Sequence, residues 1–156
     1  MSVPDLSVPY RDAIIAASAI TGALPAYLGS YPVFTRVPVP DDASPVLLRG
    51  PIIVVSAQVQ AGEEDGVDSQ RPVIDRDIMV YGLALPNKND PDDQFRATES
   101  VAFAVHALFH RQRRAITVSG WSVTDLTATG PAPAPTDDEQ TVGRRVTVRA
   151  RLDKKN

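Results

Sequence analysis

Two histidines spaced four residues apart are the first place where this sequence could do chemistry. His106 and His110 lie in the segment VAFAVHALFHRQRR, residues 101–114, and they are the only histidines of the chain. Residues at i and i+4 lie on one face of a helix, so the two imidazoles could bind a metal ion together. A catalytic zinc site usually has a third ligand and a glutamate within an HExxH arrangement, whereas apolar residues stand between these histidines. Glu99, about two turns before His106, could complete such a site, but no other residue points to one. We therefore expect a solvated or interfacial histidine pair without metal.

Two aspartates separated by one residue form a second candidate site. Asp75 and Asp77 flank Arg76 within VIDRDIMVYGLAL, residues 73–85. On a strand the two carboxylates point to one face and Arg76 to the other. Paired carboxylates could perform acid–base catalysis or bind a cation. With Arg76 on the opposite face, we expect Asp75 and Asp77 to form salt bridges, either solvated or across a subunit interface.

An acidic segment, AGEEDGVDSQRP, resembles a calcium-binding loop only superficially. It lacks the D-x-[DN]-x-[DN]-G pattern and the closing bidentate glutamate. The chain also lacks the G-x-S-x-G, Walker and G-x-G-x-x-G motifs. We therefore expect neither an enzyme nor a cofactor, and we interpret the segment as a long hairpin loop. Its acidic residues are Glu63, Glu64, Asp65 and Asp68.

Charge is distributed unevenly along the 156 residues, although the formal net charge is only −3. Residues 61–100 contain ten acidic and four basic side chains, about −6 in total, and residues 101–156 contain five and nine, about +4. A modest negative charge argues against a generic nucleic-acid-binding protein. One acidic and one basic region would allow copies of the chain to stack on each other.

The sequence also lacks several features that would indicate other classes of protein. The absence of cysteine excludes disulfides and thiolate metal sites. We find neither a signal peptide nor an apolar run of the roughly 20 residues that a membrane span needs.

Hydrophobic periodicity predicts the order α-β-β-β-α-β-β. Strands joined by hairpins indicate an α+β domain with a mostly antiparallel β-sheet packed with two helices. We expect a single domain over 1–156, an N-terminal tail over 1–9, long hairpin loops over 61–72 and 130–140, and a C-terminal tail over 153–156. The helices are predicted at 10–24 and about 90–114, and the strands at Val33–Val37, 52–60, 73–85, 115–129 and 141–152.

Exposed faces of two elements are candidate interfaces. On a helical wheel, Phe103 falls on the polar face of the second helix, between Glu99 and His106. Because that helix already has one apolar stripe to bury, an apolar side chain on its other face suggests contact with a partner. In the last strand, alternation places Val146 and its apolar neighbours on one face and arginines on the other. These arginines could contact phosphates, but we expect an exposed sheet face or a ring contact. They are Arg145, Arg149 and Arg151.

Three fragments carry a resemblance to a known family. In this sequence they read DIMVYGLA, AVHALFH and RRVTVRARL, and they occur in the element order given above. Over roughly residues 10–152 the chain resembles the tail terminator, or tail completion, proteins of long-tailed bacteriophages and related gene-transfer particles.

The resemblance implies a structural virion protein without catalysis. Such a protein forms a hexameric ring on the head-proximal end of the tail tube, stops tube polymerisation and offers a surface to the head-side connector or stopper. Its implied partners are further copies of itself, the tail tube protein and that connector. DNA would pass through the lumen of the ring without specific binding, and no membrane is involved. In such a ring, the acidic loop that contains Glu63, Glu64, Asp65 and Asp68 would line the lumen or contact a stacked ring. Two alternatives stay open: a stopper or adaptor protein of the neck, and an oligomeric ligand-binding or enzymatic α+β domain.

Overall fold

One five-stranded sheet, built from strands β1 to β5, organises the chain. A computed structural model describes residues 3–35, 46–47, 49–63, 71–83, 93–136 and 141–155. The strand order is β1-β2-β3-β5-β4, in which only the short β1 runs parallel to its neighbour. The predicted α+β class and antiparallel pairing are confirmed. The elements are α1 (Ser7–Ala16), α2 (Ser18–Thr21), β1 (Val33–Phe34), β2 (Ile52–Glu63), β3 (Pro72–Leu83), α3 (Asp93–Phe109), β4 (Trp121–Pro133) and β5 (Thr141–Lys154).

The main hydrophobic core lies between the helices and one face of the sheet. Along β5, alternate residues from Val146 to Leu152 are buried, as the sequence pattern predicts. The apolar stripe of α3 packs onto this face through Val101, Val105 and Phe109. The Phe109 ring meets Tyr10 of α1 edge-on, with the ring centroids 5.1 Å apart. In the described part of the chain, no helix is long and apolar enough to cross a membrane.

The described residues cover the opposite face of the sheet at one end. Ile52 and Val54 of β2 form a second, smaller apolar cluster with Phe34 and Val46, and Met79 of β3 packs against it. This cluster accounts for the apolar residues that β3 carries on both faces. Towards the other end of β3, the same face carries charged and hydroxyl side chains, described below.

The N-terminal segment is packed, in contrast to the predicted tail over 1–9. Leu6 is fully buried, and α1 begins at Ser7, whose backbone N–H donates to the Asp5 carboxylate at 2.9 Å. That carboxylate satisfies one of the unpaired donors of the first helical turn. The single helix predicted over 10–24 is in fact two, because Ala17 is extended with ψ 102°.

The helix predicted to reach residue 114 ends at Phe109. Arg111 adopts φ +57°, a left-handed conformation that terminates a helix, and its N–H donates to Leu126 O of β4 at 2.8 Å. Residues 115–120, predicted as strand, form turns before β4 begins at Trp121, and Gly120 with φ +80° lies in the last of them.

The strands extend into the segments predicted as loops and C-terminal tail. β2 continues to Glu63 and β3 begins at Pro72, so both enter the predicted loop 61–72. β4 continues to Pro133, within the predicted loop 130–140, and β5 continues to Lys154, within the predicted tail 153–156. Backbone pairing with the neighbouring strand extends each of them further than side-chain alternation indicates.

Candidate interaction surfaces

The open face of the sheet carries two rows of paired polar side chains, which we call the cross-strand rows. Register places Asp75 of β3 beside Arg149 of β5, and Arg149 beside Thr127 of β4. The Arg149 guanidinium donates to both carboxylate oxygens of Asp75, from Nε and from one terminal nitrogen, each at 2.8 Å. In the second row, Asp77 accepts a hydrogen bond from the Thr147 hydroxyl at 2.6 Å.

Both predicted aspartates are therefore engaged within their own chain. The hydrogen bonds from Arg149 to Asp75 raise the pKa of that guanidinium further above its ordinary value. With Thr129 the two rows line a shallow open cleft. At 3.8 Å, the pair between Arg151 and Asp125 of β4 is looser than the pair formed by Arg149. The rows present alternating charge and hydroxyl groups held in register, a surface suited to a polar partner.

The two histidines dock onto the edge of β4 rather than facing solvent alone. His106 Nε2 lies 3.1 Å from Ala128 O, and the Ala128 N–H donates to His110 Nδ1 at 3.2 Å. A backbone carbonyl only accepts and a backbone N–H only donates, so His106 carries its proton on Nε2 and His110 leaves Nδ1 unprotonated. The rings stack with centroids 4.9 Å apart. We call this arrangement the histidine clamp.

The metal alternative weighed from the sequence finds no geometric support. The clamp already engages the ring nitrogens nearest β4, and the Glu99 carboxylate accepts from Arg144 Nε at 3.0 Å. Within the described residues no group of three histidine, cysteine or acidic side chains is arranged to hold a metal ion.

Phe103 is exposed, as the helical wheel predicts. Its side chain is 60 % exposed, on the same helix that buries Val101, Val105 and Phe109. Glu99, one turn away on this helix, is tied to Arg144 of β5. The arrangement leaves an aromatic ring in solvent beside a fixed ion pair, so Phe103 stays a candidate for contact with a partner.

The acidic residues assigned to a lumen or stacking loop lie mostly outside the described residues. Glu64, Asp65 and Asp68 fall there, and Glu63 is described only as the last backbone position of β2. Their role stays a prediction.

A buried arginine is the principal feature that the sequence reading missed. Arg76, predicted only to point away from the two aspartates, is 5 % exposed. One of its terminal nitrogens donates to Gln58 Oε1 at 2.8 Å and to Asp5 Oδ1 at 3.1 Å. Gln58 also accepts from the Leu6 N–H at 3.0 Å and donates to Pro4 O at 2.9 Å. The network fastens the N-terminal segment to the sheet.

Burial and hydrogen bonding perturb the titrating groups of this network. Burial lowers the pKa of Arg76, while nearby Asp5 counteracts that shift. The Ser7 backbone N–H, followed by smaller contributions that include Arg76, lowers the pKa of Asp5 below 3.8. Burial raises the pKa of Tyr10, whose hydroxyl has no hydrogen-bond partner among the described atoms. Asp5 and Arg76 are thus paired with each other between the N-terminal segment and β3.

Comparison with solved structures finds the same fold in a virus-like particle. The chain superposes on a chain of the virion of a native gene transfer agent particle with a TM-score of 0.70. The match covers 95 % of this chain and 94 % of the other at 16 % sequence identity. No protein-family model matches the sequence, and neither does any curated protein. At this identity the likeness establishes a shared fold.

Proposed function

We propose that this chain is a structural, non-catalytic protein of a virion-like particle. The observation that carries the proposal is the fold shared, over nearly the whole of both chains, with a chain of a gene transfer agent virion. A shared fold does not by itself define a function, so the role of the chain within a particle must be inferred from its exposed surfaces.

Within such a particle, we propose that the protein forms a ring on the head-proximal end of the tail tube. A closed ring requires two different complementary surfaces on each subunit. The cross-strand rows offer one polar surface with both charges fixed in place. The exposed face of α3, with Phe103 at its centre, offers a second. Ring formation, a contact with the tube and a contact with the head-side connector would use surfaces of these kinds.

Electron microscopy of the protein mixed with tail tubes from the same source tests this role. We expect a ring at one end of each tube. The variant Phe103→Asp places a charge where an apolar contact is proposed, so rings should be lost or rare. Val8→Asp is the matched control, because Val8 is also an exposed apolar helical residue, 47 % exposed, on α1.

Each other outcome has a distinct meaning. Rings formed equally well by Phe103→Asp would remove α3 from the interface while keeping the particle role. Binding to the connector without binding to tubes would indicate a stopper or adaptor. A stable free oligomer that binds neither would contradict the particle role altogether.

A further inference from the structure

A basic cleft lies at one end of the sheet, beyond the cross-strand rows. Arg113 and Arg114 belong to the turn that follows α3, Lys154 is the last residue of β5, and Lys155 follows it. Backbone contacts hold the end of β5 against the start of β4, since Lys154 pairs with Trp121 and the Lys155 N–H donates to Gly120 O at 3.0 Å. Arg113, Arg114 and Lys155 line the same cleft. All four cationic side chains are exposed.

The lining of this cleft combines cations, a hydroxyl and an aromatic ring. Arg113, Arg114 and Lys155 border it, with the Ser122 hydroxyl and the indole of Trp121 between them. None of the described residues that line it is acidic. Guanidinium, ammonium and hydroxyl groups are the side-chain donors that contact phosphate oxygens in nucleic-acid complexes, and an indole offers a surface on which a base can stack.

The cations of the cleft are not neutralised by the protein itself. Among the described residues, Arg113, Arg114, Lys154 and Lys155 take part in no salt bridge. The nearest acid along the chain, Asp153, lies 3.8 Å from the Arg71 guanidinium. An unneutralised group of four positive charges on a chain of net charge −3 makes this end attractive to a polyanion.

We propose that this basic cleft binds the phosphate backbone of nucleic acid without reading its sequence. The physical gain is the release of counterions from the backbone, which grows with the number of phosphates neutralised. The acidic remainder of the surface would repel the same polyanion, so contact is confined to one end of the sheet. The inference is independent of the ring role, because it concerns the isolated chain.

Trp121 provides the readout, since it is the only tryptophan of the chain and lines the cleft. Titration with a random-sequence DNA duplex at low salt should change its fluorescence, with a dissociation constant of about 10⁻⁴ to 10⁻⁶ M. The affinity should fall as salt rises from about 50 to 200 mM, with a slope of log K against log salt of about −2 to −3.5. A single-stranded DNA of the same length separates backbone contact from stacking, which would strengthen its binding relative to the duplex.

A pair of charge-matched variants tests the location. Arg113→Gln/Arg114→Gln should weaken duplex binding at least about tenfold and flatten the salt slope by about 2. Arg11→Gln/Arg96→Gln removes the same charge from positions on α1 and the first part of α3 that do not line the cleft, and it should bind like the unmodified chain. Arg11 is partly exposed and pairs with Asp12, and Arg96 is exposed. Circular dichroism would verify that both variants fold.

Three results would overturn the proposal. One is the absence of any DNA-induced change at about 50 mM salt. Another is an equal loss of binding in both variants, which would mean that general charge and not the cleft attracts DNA. The third is binding of a poly-glutamate peptide in preference to DNA, which would assign the cleft to an acidic protein. If DNA binds but no ring forms on tubes, the inference stands and the ring role fails.

Discussion

The backbone N–H of Ala128 donates to Nδ1 of His110 at 3.2 Å, so a side chain of the turn that follows α3 completes the hydrogen bonding of the edge strand β4. His106 contacts the carbonyl of the same residue at 3.1 Å. Two positions earlier, the Leu126 carbonyl accepts from the Arg111 N–H. An unpaired strand edge is a template for adding another chain, and the end of α3 covers the middle of this one.

Removing the histidine clamp should destabilise the fold more than the partial exposure of the two histidine side chains suggests. Ala128 is 2 % exposed, so in His110→Ala its N–H would be buried without a partner. The expected loss is about 1–3 kcal/mol of unfolding free energy, measured by denaturant titration. Hydrogen exchange at the Ala128 amide should also become faster.

An isosteric substitution separates the hydrogen bond from packing. His110→Asn retains an acceptor near the position of Nδ1 and should recover part of the loss. Phe103→Ala, on α3 and 60 % exposed, should change stability by less than about 0.5 kcal/mol. An unchanged exchange rate at Ala128 in His110→Ala would show that the clamp does not protect this edge.

The hydrogen bonds that Asp5 accepts from the Ser7 N–H and from Arg76 predict a stability difference that depends on pH. The pKa of Asp5 is below 3.8 in the folded chain, so the folded state binds this proton less tightly than the unfolded state does. Its contribution is therefore present above pH 3.8 and is lost as the pH falls through the folded-state pKa. Asp5→Asn should cost about 1 kcal/mol at neutral pH, a low value because the Asp5 side chain is 75 % exposed.

Denaturant titrations at several pH values measure this difference. The curves of Asp5→Asn and the unmodified chain should converge under acid conditions, where the carboxylate is protonated in both states. In an Arg76→Met background the effect of Asp5→Asn should shrink, because its buried partner is absent. A difference that is constant across the whole pH range would exclude the carboxylate as its source.

Arg149 and Asp75 should matter little to stability and more to assembly. Their side chains are 46 % and 26 % exposed, and ion pairs of this exposure add little to the free energy of unfolding. Arg149→Ala should therefore leave the unfolding free energy nearly unchanged while weakening ring formation on tubes. The exchanged pair Asp75→Arg/Arg149→Asp restores the internal salt bridge. If this variant also restored ring formation, the salt bridge would matter only because it holds the surface in shape. The hypothesis that a partner recognises the individual charges of Asp75 and Arg149 would then be wrong.

Periodicity predicted the parts of the fold that depend on neighbours along one strand. Alternation in RRVTVRARL assigned the exposed arginines and the buried apolar residues of β5 to their faces. It could not predict the burial of Arg76, because its carboxylate partner Asp5 lies 71 residues away in sequence. The histidine clamp was missed for a similar reason, since its partner is backbone and backbone leaves no sequence signal.

Gly130 lies in the loop predicted over 130–140, but in the structure it belongs to β4. It has φ +102°, and a Cβ there would lie 2.7 Å from the Arg145 carbonyl oxygen on β5. Gly130→Ala must therefore distort two paired strands as well as adopt a conformation that L residues rarely occupy, and it should cost about 2–4 kcal/mol.

Gly120→Ala is the matched control for this substitution. Gly120 also has positive φ, +80°, but a Cβ there meets nothing within 4 Å, so only the backbone strain applies, about 1 kcal/mol. Thermal unfolding of the two variants should place Gly130→Ala well below Gly120→Ala. Equal melting temperatures would mean that β4 and β5 do not approach each other closely at Gly130 in solution.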